Sequence, residues 1–594
     1  MKLMQQHKLP WSFPLGRWLK DYRKETLVRD CVAGIVVSIV MVPQSMGYAL
    51  LAGMPAEYGL YCAILPAFLY AFLGSSRSLS VGPAALISIM LAGSVATLNP
   101  QTEVEYIHYV VNISLLVGVF LMAMSLLRLG RLTNYISVPV ISGFTSAAAL
   151  TIMVSQLKHM MGVELGTGLD FGHTLLSLVQ SIGQINIVTV LIGVSACLAL
   201  WFFKTPFPRL IQRLKLPSWL EQALSKSGPM VVVLASAVMV AVLHLETSAQ
   251  VSVVGNIPQG LPALSGISVD IALWKQLAMP SFLIALMCFI TSIAVSCSLA
   301  SKRRERVDSN QELLALGVAN LGAAFSGTFA LAGSLSRSAV NDATGAETTI
   351  SSMVCALCIV VTLLFLTAAF YYLPLAVLGA IVIMSVFSMI DVQQFLRCWR
   401  LNRADAYSLL ATFLAVLIFD IQTGIGVGIV LSVVLLLHRA SHPHIAVVGR
   451  VGDSAHFRNI ERHDVVTSES VVAIRVDESI YFSNVQYIED FILEQCASHP
   501  QANQIVLICS SVSFVDTTAV DELERLIDKL RESEITLHFA EVKGPVMDQL
   551  KKTRLLDRLQ PGRVFFTTDE AMRTLTAVHD TEQAEGLKTT PRKA

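Results

Sequence analysis

Residues 327–338 read Gly327-Thr328-Phe329-Ala330-Leu331-Ala332-Gly333-Ser334-Leu335-Ser336-Arg337-Ser338 and close the charge-free stretch 313–336. Charge-free stretches of ~20 residues suit membrane helices, but glycine and serine at this density do not suit a continuous helix. Non-helical backbone at membrane depth is tolerated only where protein or a water-filled cavity covers it. The segment therefore reads as a break followed by a helix start. Its free N–H groups and partial positive charge would face a cavity and favour an anion. A second break is Ser78-Leu79-Ser80-Val81-Gly82-Pro83-Ala84-Ala85, where Gly82-Pro83 interrupts an apolar stretch. Proline suits a first helical position, so a helix is predicted to start there. Two interrupted segments in corresponding halves point to a carrier's midplane site.

Arg337 sharpens this reading. It is the only Lys or Arg between Arg306 and Arg397, and an intramembrane charge marks function by default. The other reading has it snorkel to water or pair with Asp342 or Glu347. An arginine in the first helical turn opposes the local dipole, which an arriving anion would offset. Gln44 and Tyr48 lie one turn apart in the first apolar run. They either line the same cavity or make ordinary interhelical hydrogen bonds.

Working outward, hydrophobic residues make up 54% of the 594 and charged residues 14%, against ~25% charged in a soluble domain. Mean hydropathy is +0.62. Such a chain has too little polar surface for a water-exposed globule. Charge-free runs at 31–56, 58–76, 78–102, 132–157, 276–301, 313–336 and 348–390 are candidate spans. Residues 106–127, 174–203, 227–245 and 406–438 add more, with only a His or Asp as ionisable groups. The 348–390 run allows two crossings with a turn at Pro374, and 406–438 splits at 420–424. Fourteen spans are expected. With the N-terminus inside, the basic loops at Arg128 and Arg131, Lys204 to Lys215, 302–306 and Arg397 to Arg403 all fall on the cytoplasmic side, as positive-inside orientation requires. The ten cysteines form no disulfide or zinc framework, and Cys355-x-x-Cys358 in an apolar run reads as packing.

The periodicity changes after Arg439. Strands are expected at 471–476, 504–509 and 535–540, and Ala519–Arg531 has helical spacing. Strands alternating with helices predict a small α/β domain. The expected division is 1–30 as a cytoplasmic N-terminal tail, 31–440 as the transmembrane transport domain, 441–579 as the cytosolic domain with its linker, and 580–594 as a disordered tail.

Several long motifs resemble the SulP anion transporters, the sulfate permease family to which prestin and pendrin are related. They are Pro55-Ala56-Glu57-Tyr58-Gly59-Leu60-Tyr61 continuing to Gly74-Ser75-Ser76-Arg77, the Ser80-Val81-Gly82-Pro83 break, Asp308-Ser309-Asn310-Gln311-Glu312-Leu313 with Gly317 and Asn320, and Gly333 to Asn341. The resemblance covers nearly the whole chain. It implies two inverted repeats of seven helices, divided into a core and a gate, with elevator-like alternating access. The anion would sit between the N-termini of the third and tenth helices. By motif, Gln44 and Tyr48 would come from the first helix, Gly82, Pro83 and Ala84 from the third, and Ser334, Ser336 and Arg337 from the tenth. The C-terminal domain resembles a STAS domain. Val515-Asp516-Thr517-Thr518-Ala519 matches its turn before a helix, making Thr517 a candidate regulatory phosphorylation position. Helix capping by Asp516 and Thr517 is the other reading. The resemblance also implies a homodimer in the cell inner membrane and a cytosolic protein partner for the STAS domain.

One departure concerns Phe289-Ile290-Thr291-Ser292-Ile293, where many relatives have a glutamate at the place of Thr291. A hydroxyl cannot change charge, so Thr291 is a candidate coupling position that would not bind a proton or sodium as a carboxylate does. The expected function is secondary transport or exchange of sulfate, bicarbonate, chloride or dicarboxylate. A channel-like or sensory protein regulated through its STAS domain, and a nucleobase-type carrier of the same fold, are the alternatives. No enzyme motif stands out. No cofactor, metal or nucleic-acid partner is expected, only an anion and the bilayer.

Overall fold

The computed structural model describes residues 14–130, 137–163, 171–213, 224, 226–263 and 270–586. Two units separate, 1–432 and 433–594. In membrane order the helices are α1 Lys24–Leu51, α2 Ala56–Leu73, α3 Ala85–Ala96, α4 Glu103–Leu126, α5 Val138–Met161, α6 Ile187–Lys204 and α7 Gly228–Val242. They continue with α8 Ile271–Lys302, α9 Ser309–Phe325, α10 Leu335–Ala343, α11 Ile350–Phe370, α12 Leu375–Val386, α13 Arg403–Ile418 and α14 Ile421–Ser441. These are fourteen segments, as the apolar runs predict. Nine ranges among the described residues are long and apolar enough to cross a bilayer alone, and α3 and α10 are half-length.

Several helix starts carry the Asx or Thr caps that leave no N–H unpaired in an apolar setting. Asp270 accepts from the N–H groups of Ala272 (2.9 Å) and Leu273 (3.2 Å), and Asp308 from those of Asn310 and Gln311. Asp420, at the predicted split, accepts from Gln422 and Thr423 and so opens α14. Pro374 flanks α12 in extended conformation, as the turn requires. The first helix differs from expectation. It begins at Lys24, not Cys31, because the Asp30 carboxylate is buried and satisfied by the N–H groups of Glu347 (2.8 Å) and Thr348 (3.1 Å) and the Tyr22 hydroxyl (2.9 Å). Residues 14–21, within the expected tail, form two short helical turns.

Packing divides the helices into two bundles. In one, α9 lies on α4 and α2, α8 on α4, α11 on α1 and α2, and α10 on α1. In the other, α5 carries α12 and α13, and α6 carries α12 and α7. The bundles meet chiefly along α1, which touches α12 and α7. Gly59 permits one close approach within the first bundle: a Cβ there would lie 1.9 Å from the Ser45 carbonyl oxygen, so α2 can reach α1 only with glycine.

The second unit holds a six-stranded sheet, β3 Ile445–Arg450, β4 Phe457–Asn459, β5 Val471–Val476, β6 Gln504–Ile508, β7 Thr536–Ala540 and β8 Val564–Phe565 (β1 and β2 belong to the membrane unit, below), in the order β4-β3-β5-β6-β7-β8. From β5 to β8 neighbours are parallel, and β3 and β4 add antiparallel edges. Alternate residues go to opposite faces. Val472, Ile474, Ile505 and Leu507 pack under α15 Val485–Ser498 and α16 Thr517–Glu532, while Ala473, Val506 and Ile508 pack under α17 Thr568–Gly586. The predicted α/β domain is present, with three strands the periodicity did not single out. Helix α17 runs seven residues into the expected disordered tail, through Thr581-Glu582-Gln583-Ala584-Glu585, and residues 587–594 lie outside the described residues.

His538 on β7 ties the parallel core together. The Arg563 N–H donates to its Nδ1 (3.1 Å), so Nε2 holds the proton and donates to Gln504 Oε1 (2.6 Å). Burial, reinforced by the Arg563 charge, pushes the imidazole down from 6.5 to about 4. A group whose folded pKa is depressed gives stability that is complete above its unfolded pKa and is lost as pH falls toward the folded one. The sheet unit of the full-length protein should therefore melt at progressively lower temperature between pH 6.5 and 4. His538→Gln should flatten that slope in scanning calorimetry, and equal slopes for the two proteins would contradict it.

Candidate anion site

The two breaks pair with each other. β1 Val81–Gly82 and β2 Ala332–Gly333 form an antiparallel ribbon, Val81 opposite Gly333 and Gly82 opposite Ala332. The Ser334 N–H donates to the Ser80 carbonyl at 3.0 Å. Because the strands run oppositely, α3 and α10 leave the ribbon in opposite directions, and both positive helix ends point back toward it. Neither start has a side-chain cap, with Ala84 and Ser334 at the N-cap positions. The first helix turn begins at Ala85, two residues later than the proline reading predicts, because Gly82 is held extended by its partner Ala332.

Side chains from three helices fix the ribbon. Ser292 on α8 accepts from the Gly333 N–H at 2.8 Å. Asn320 on α9 accepts from the Leu331 N–H (3.0 Å) and donates to its carbonyl (3.2 Å), acting as a missing strand. Ser338 on α10 accepts from the Ser80 N–H at 2.8 Å, and Asn341 donates to the Ser78 carbonyl at 3.1 Å. Further back, the buried Glu312 carboxylate takes the hydroxyls of Tyr70 (2.9 Å) and Ser75 (2.8 Å) and the N–H groups of Ser75 and Ser76 (2.8 Å each). Four donors make a buried carboxylate tolerable.

Arg337 is 0% exposed, and its Nε, Nη1 and Nη2 have no hydrogen-bond partner among the described residues. The guanidinium lies against the ribbon: a Cβ on Gly82 would be 3.5 Å from Nη2. Both carboxylates considered as partners are engaged elsewhere, Asp342 with Arg303 (2.6 Å) and Glu347 with Arg29 (2.5 Å). The ionisable groups that act on Arg337 are Tyr48, Cys355 and Cys62, all of types that are uncharged at neutral pH. A buried unpaired charge costs several kcal/mol, of order 3–5, when its partner is missing.

The serines face the other way. Ser336 is exposed and Ser334 half-buried, with their hydroxyls 3.3 Å apart. The first turn of α10 thus presents hydroxyls and free N–H groups on its open side and the guanidinium on its closed side. On α1, Gln44 and Tyr48 are both buried. Gln44 Nε2 donates to the Ser385 hydroxyl on α12 (3.1 Å), and its Oε1 has no partner among the described residues. Ser385 is on α12 and Gln44 on α1, so this group sits where the two bundles meet. A lone serine in an apolar run gave no sign of this. Cys355 approaches Met41 sulfur to sulfur at 3.6 Å, a packing contact, and no metal-binding group occurs among the described residues. In the second unit Thr517 is exposed at the start of α16, and Asp516 caps that helix, accepting from the N–H groups of Ala519 (2.8 Å) and Phe482 (2.9 Å).

The sequence profile of the sulfate permease family matches residues 27–412. The chain belongs to the sulfate permease family. The STAS domain profile matches residues 462–571. The chain is 35% identical to sulfate transporter 4.1, chloroplastic, of Arabidopsis thaliana, over 90% of this chain and 79% of that protein. It is 30% identical to a probable sulfate transporter of Mycobacterium tuberculosis strain H37Rv, over 93% and 96%. In fold it is similar to murine solute carrier 26 family member A9, an anion transporter in the inward-facing state, with TM-score 0.86 and 23% identity over 97% and 96% of the two chains. It also resembles the transmembrane domain of the cyanobacterial bicarbonate transporter BicA, with TM-score 0.57 and 21% identity over 69% and 98%. The family is one of membrane transporters, not enzymes.

The Thr291 hydroxyl does not hydrogen-bond to the ribbon that its neighbour Ser292 supports. It donates to the Met287 carbonyl one turn back, at 2.7 Å. Thr291→Val is therefore expected to leave the response of proteoliposome uptake to imposed proton or sodium gradients unchanged. A gradient response that disappears in this variant would show that Thr291 takes part in coupling.

Proposed function

We propose that this sulfate permease family member is a secondary carrier of small anions, with sulfate the first substrate to test. The anion would bind between the starts of α3 and α10, on the Ser334 and Ser336 hydroxyls and the N–H groups of the first helical turns, from Ala85 and from Leu335, next to the Ala84 and Ser334 caps. Gln44 and Tyr48 would close the site from α1, and Gly82 and Pro83 would keep the backbone open to approach. The observation that supports this reading is the unpaired Arg337 guanidinium behind the ribbon. Its missing partner is a negative charge, and the open face one residue away offers hydroxyl and backbone N–H donors. A nucleobase would need acceptors for its N–H groups, yet Asp342, Glu347 and Glu312 are all committed to other partners. Sulfate is favoured over other anions by the names of the relatives.

Movement of the α1–α4 and α8–α11 bundle against the α5–α7 and α12–α14 bundle would carry the site across the membrane, breaking the Gln44 to Ser385 contact. This elevator reading rests on the two-bundle packing. The lysine and arginine distribution supports a cytoplasmic N-terminus and STAS domain, and the membrane we propose is the cell inner membrane. Assembly as a homodimer follows from the family reading alone.

Arg337 acts through its field and not by direct contact. A unit charge ~6 Å from the anion, at an effective dielectric of ~20, is worth about 3 kcal/mol, or on the order of 100-fold in affinity. Arg337→Met should weaken sulfate binding by about that factor. The same variant should melt at higher temperature than the native protein in buffer without small anions, because an unpaired buried charge has been removed, and should lose the stabilisation that sulfate gives the native protein. Unchanged affinity in this variant would overturn the site assignment.

A further inference from the structure

Between α12 and α13 lies a ten-residue helix, Val392–Leu401, started by Asp391, which accepts from the Gln394 N–H at 2.9 Å. At 1.5 Å per residue it is about 15 Å long, too short to span a bilayer. It joins two membrane helices, so it lies where they meet the membrane surface. At 100° per residue Val392, Phe395, Leu396 and Trp399 fall on one face, and Gln393, Arg397 and Arg400 on the adjoining one. Only Cys398 is buried against the rest of the protein.

Among the described residues the apolar face is largely open: Val392 is 60% exposed, Leu396 49% and Trp399 44%. Trp399 is flanked by Phe395 and Tyr407, with ring centroids 5.9 Å away in each case. Amphipathic tryptophan and tyrosine rings concentrate at the headgroup level of membranes. Beside them a groove of about 390 Å³ is lined by Gln393, Leu396, Arg397, Arg400 and Leu401, two guanidinium groups next to two aliphatic side chains. Guanidinium forks match phosphate geometry, and an apolar helix face with basic residues along its edge is the pattern of helices that lie in the membrane interface.

We propose that Val392–Leu401 is an interfacial helix that holds an anionic phospholipid, the phosphate on Arg397 and Arg400 and an acyl chain along Leu396 and Leu401. The bilayer is the occupant favoured over a second copy of the chain because charge and apolarity alternate on the scale of one headgroup. The face also continues the lipid-facing surface of α13, where Tyr407, Leu410 and Leu414 are exposed.

The test uses full-length protein with Trp399 as its sole tryptophan, reconstituted into vesicles of brominated phosphatidylcholine. Bromine is expected to quench more than half of the Trp399 emission, with little quenching by aqueous acrylamide. In parallel, native mass spectrometry of the protein purified from phosphatidylglycerol-containing vesicles should show several-fold less retained phosphatidylglycerol for Arg397→Gln with Arg400→Gln, in a background with all tryptophans intact. Quenching by acrylamide alone would overturn the proposal by placing the face in water. Insensitivity to both quenchers would overturn it by placing the face under a second copy. Equal phosphatidylglycerol retention by the two proteins would overturn the lipid assignment.

Discussion

Backbone polar groups cannot go unpaired in a membrane, and the rest of the fold follows from how this chain meets that constraint at its centre. Two segments that cannot be helical, 78–84 and 327–334, pair with each other through the ribbon of Val81–Gly82 and Ala332–Gly333. The ribbon needs only two rungs because Ser292, Asn320, Ser338 and Asn341 supply the remaining donors and acceptors from three helices. An antiparallel pairing makes the following helices diverge. Two positive helix ends therefore converge on one place.

Arg337 then gives that place its sign. Its charge is added to a helix end that already disfavours it, with no counter-ion among the described residues. Such an arrangement is costly in an empty protein and balanced in a loaded one, which suits a carrier that must exchange its ligand. The acids that follow Arg337 in the sequence are paired elsewhere, Asp342 with Arg303 and Glu347 with Arg29. These ion pairs tie α10 to the residue that ends α8 and the loop after α10 to α1, and they leave the guanidinium free.

The apolar runs made the span count legible, and Asp420 and Pro374 marked the two divisions within long runs because each starts a helix by its own local chemistry. The breaks were legible for the same reason: glycine, proline and serine act locally. What depends on distant residues was not. The start of α1 at Lys24 hangs on Asp30 meeting residues 347 and 348, more than 300 positions away. Helix α3 starts late because Gly82 pairs with Ala332. Ser385 is an unremarkable serine until α12 packs beside Gln44. Arg337 was picked out from its isolation, yet its position behind the ribbon, with Ser336 in front, could be found only from the fold.

Direct sight of the anion is the decisive measurement. Selenate has the shape and charge of sulfate and scatters X-rays anomalously near the selenium edge. Crystals of the full-length protein grown without other small anions and soaked in selenate should show an anomalous peak within hydrogen-bonding distance of the Ser336 hydroxyl, between the first turns of α3 and α10. A selenium peak elsewhere in the membrane unit, with that position empty in protein that transports selenate, would contradict the assignment of the site.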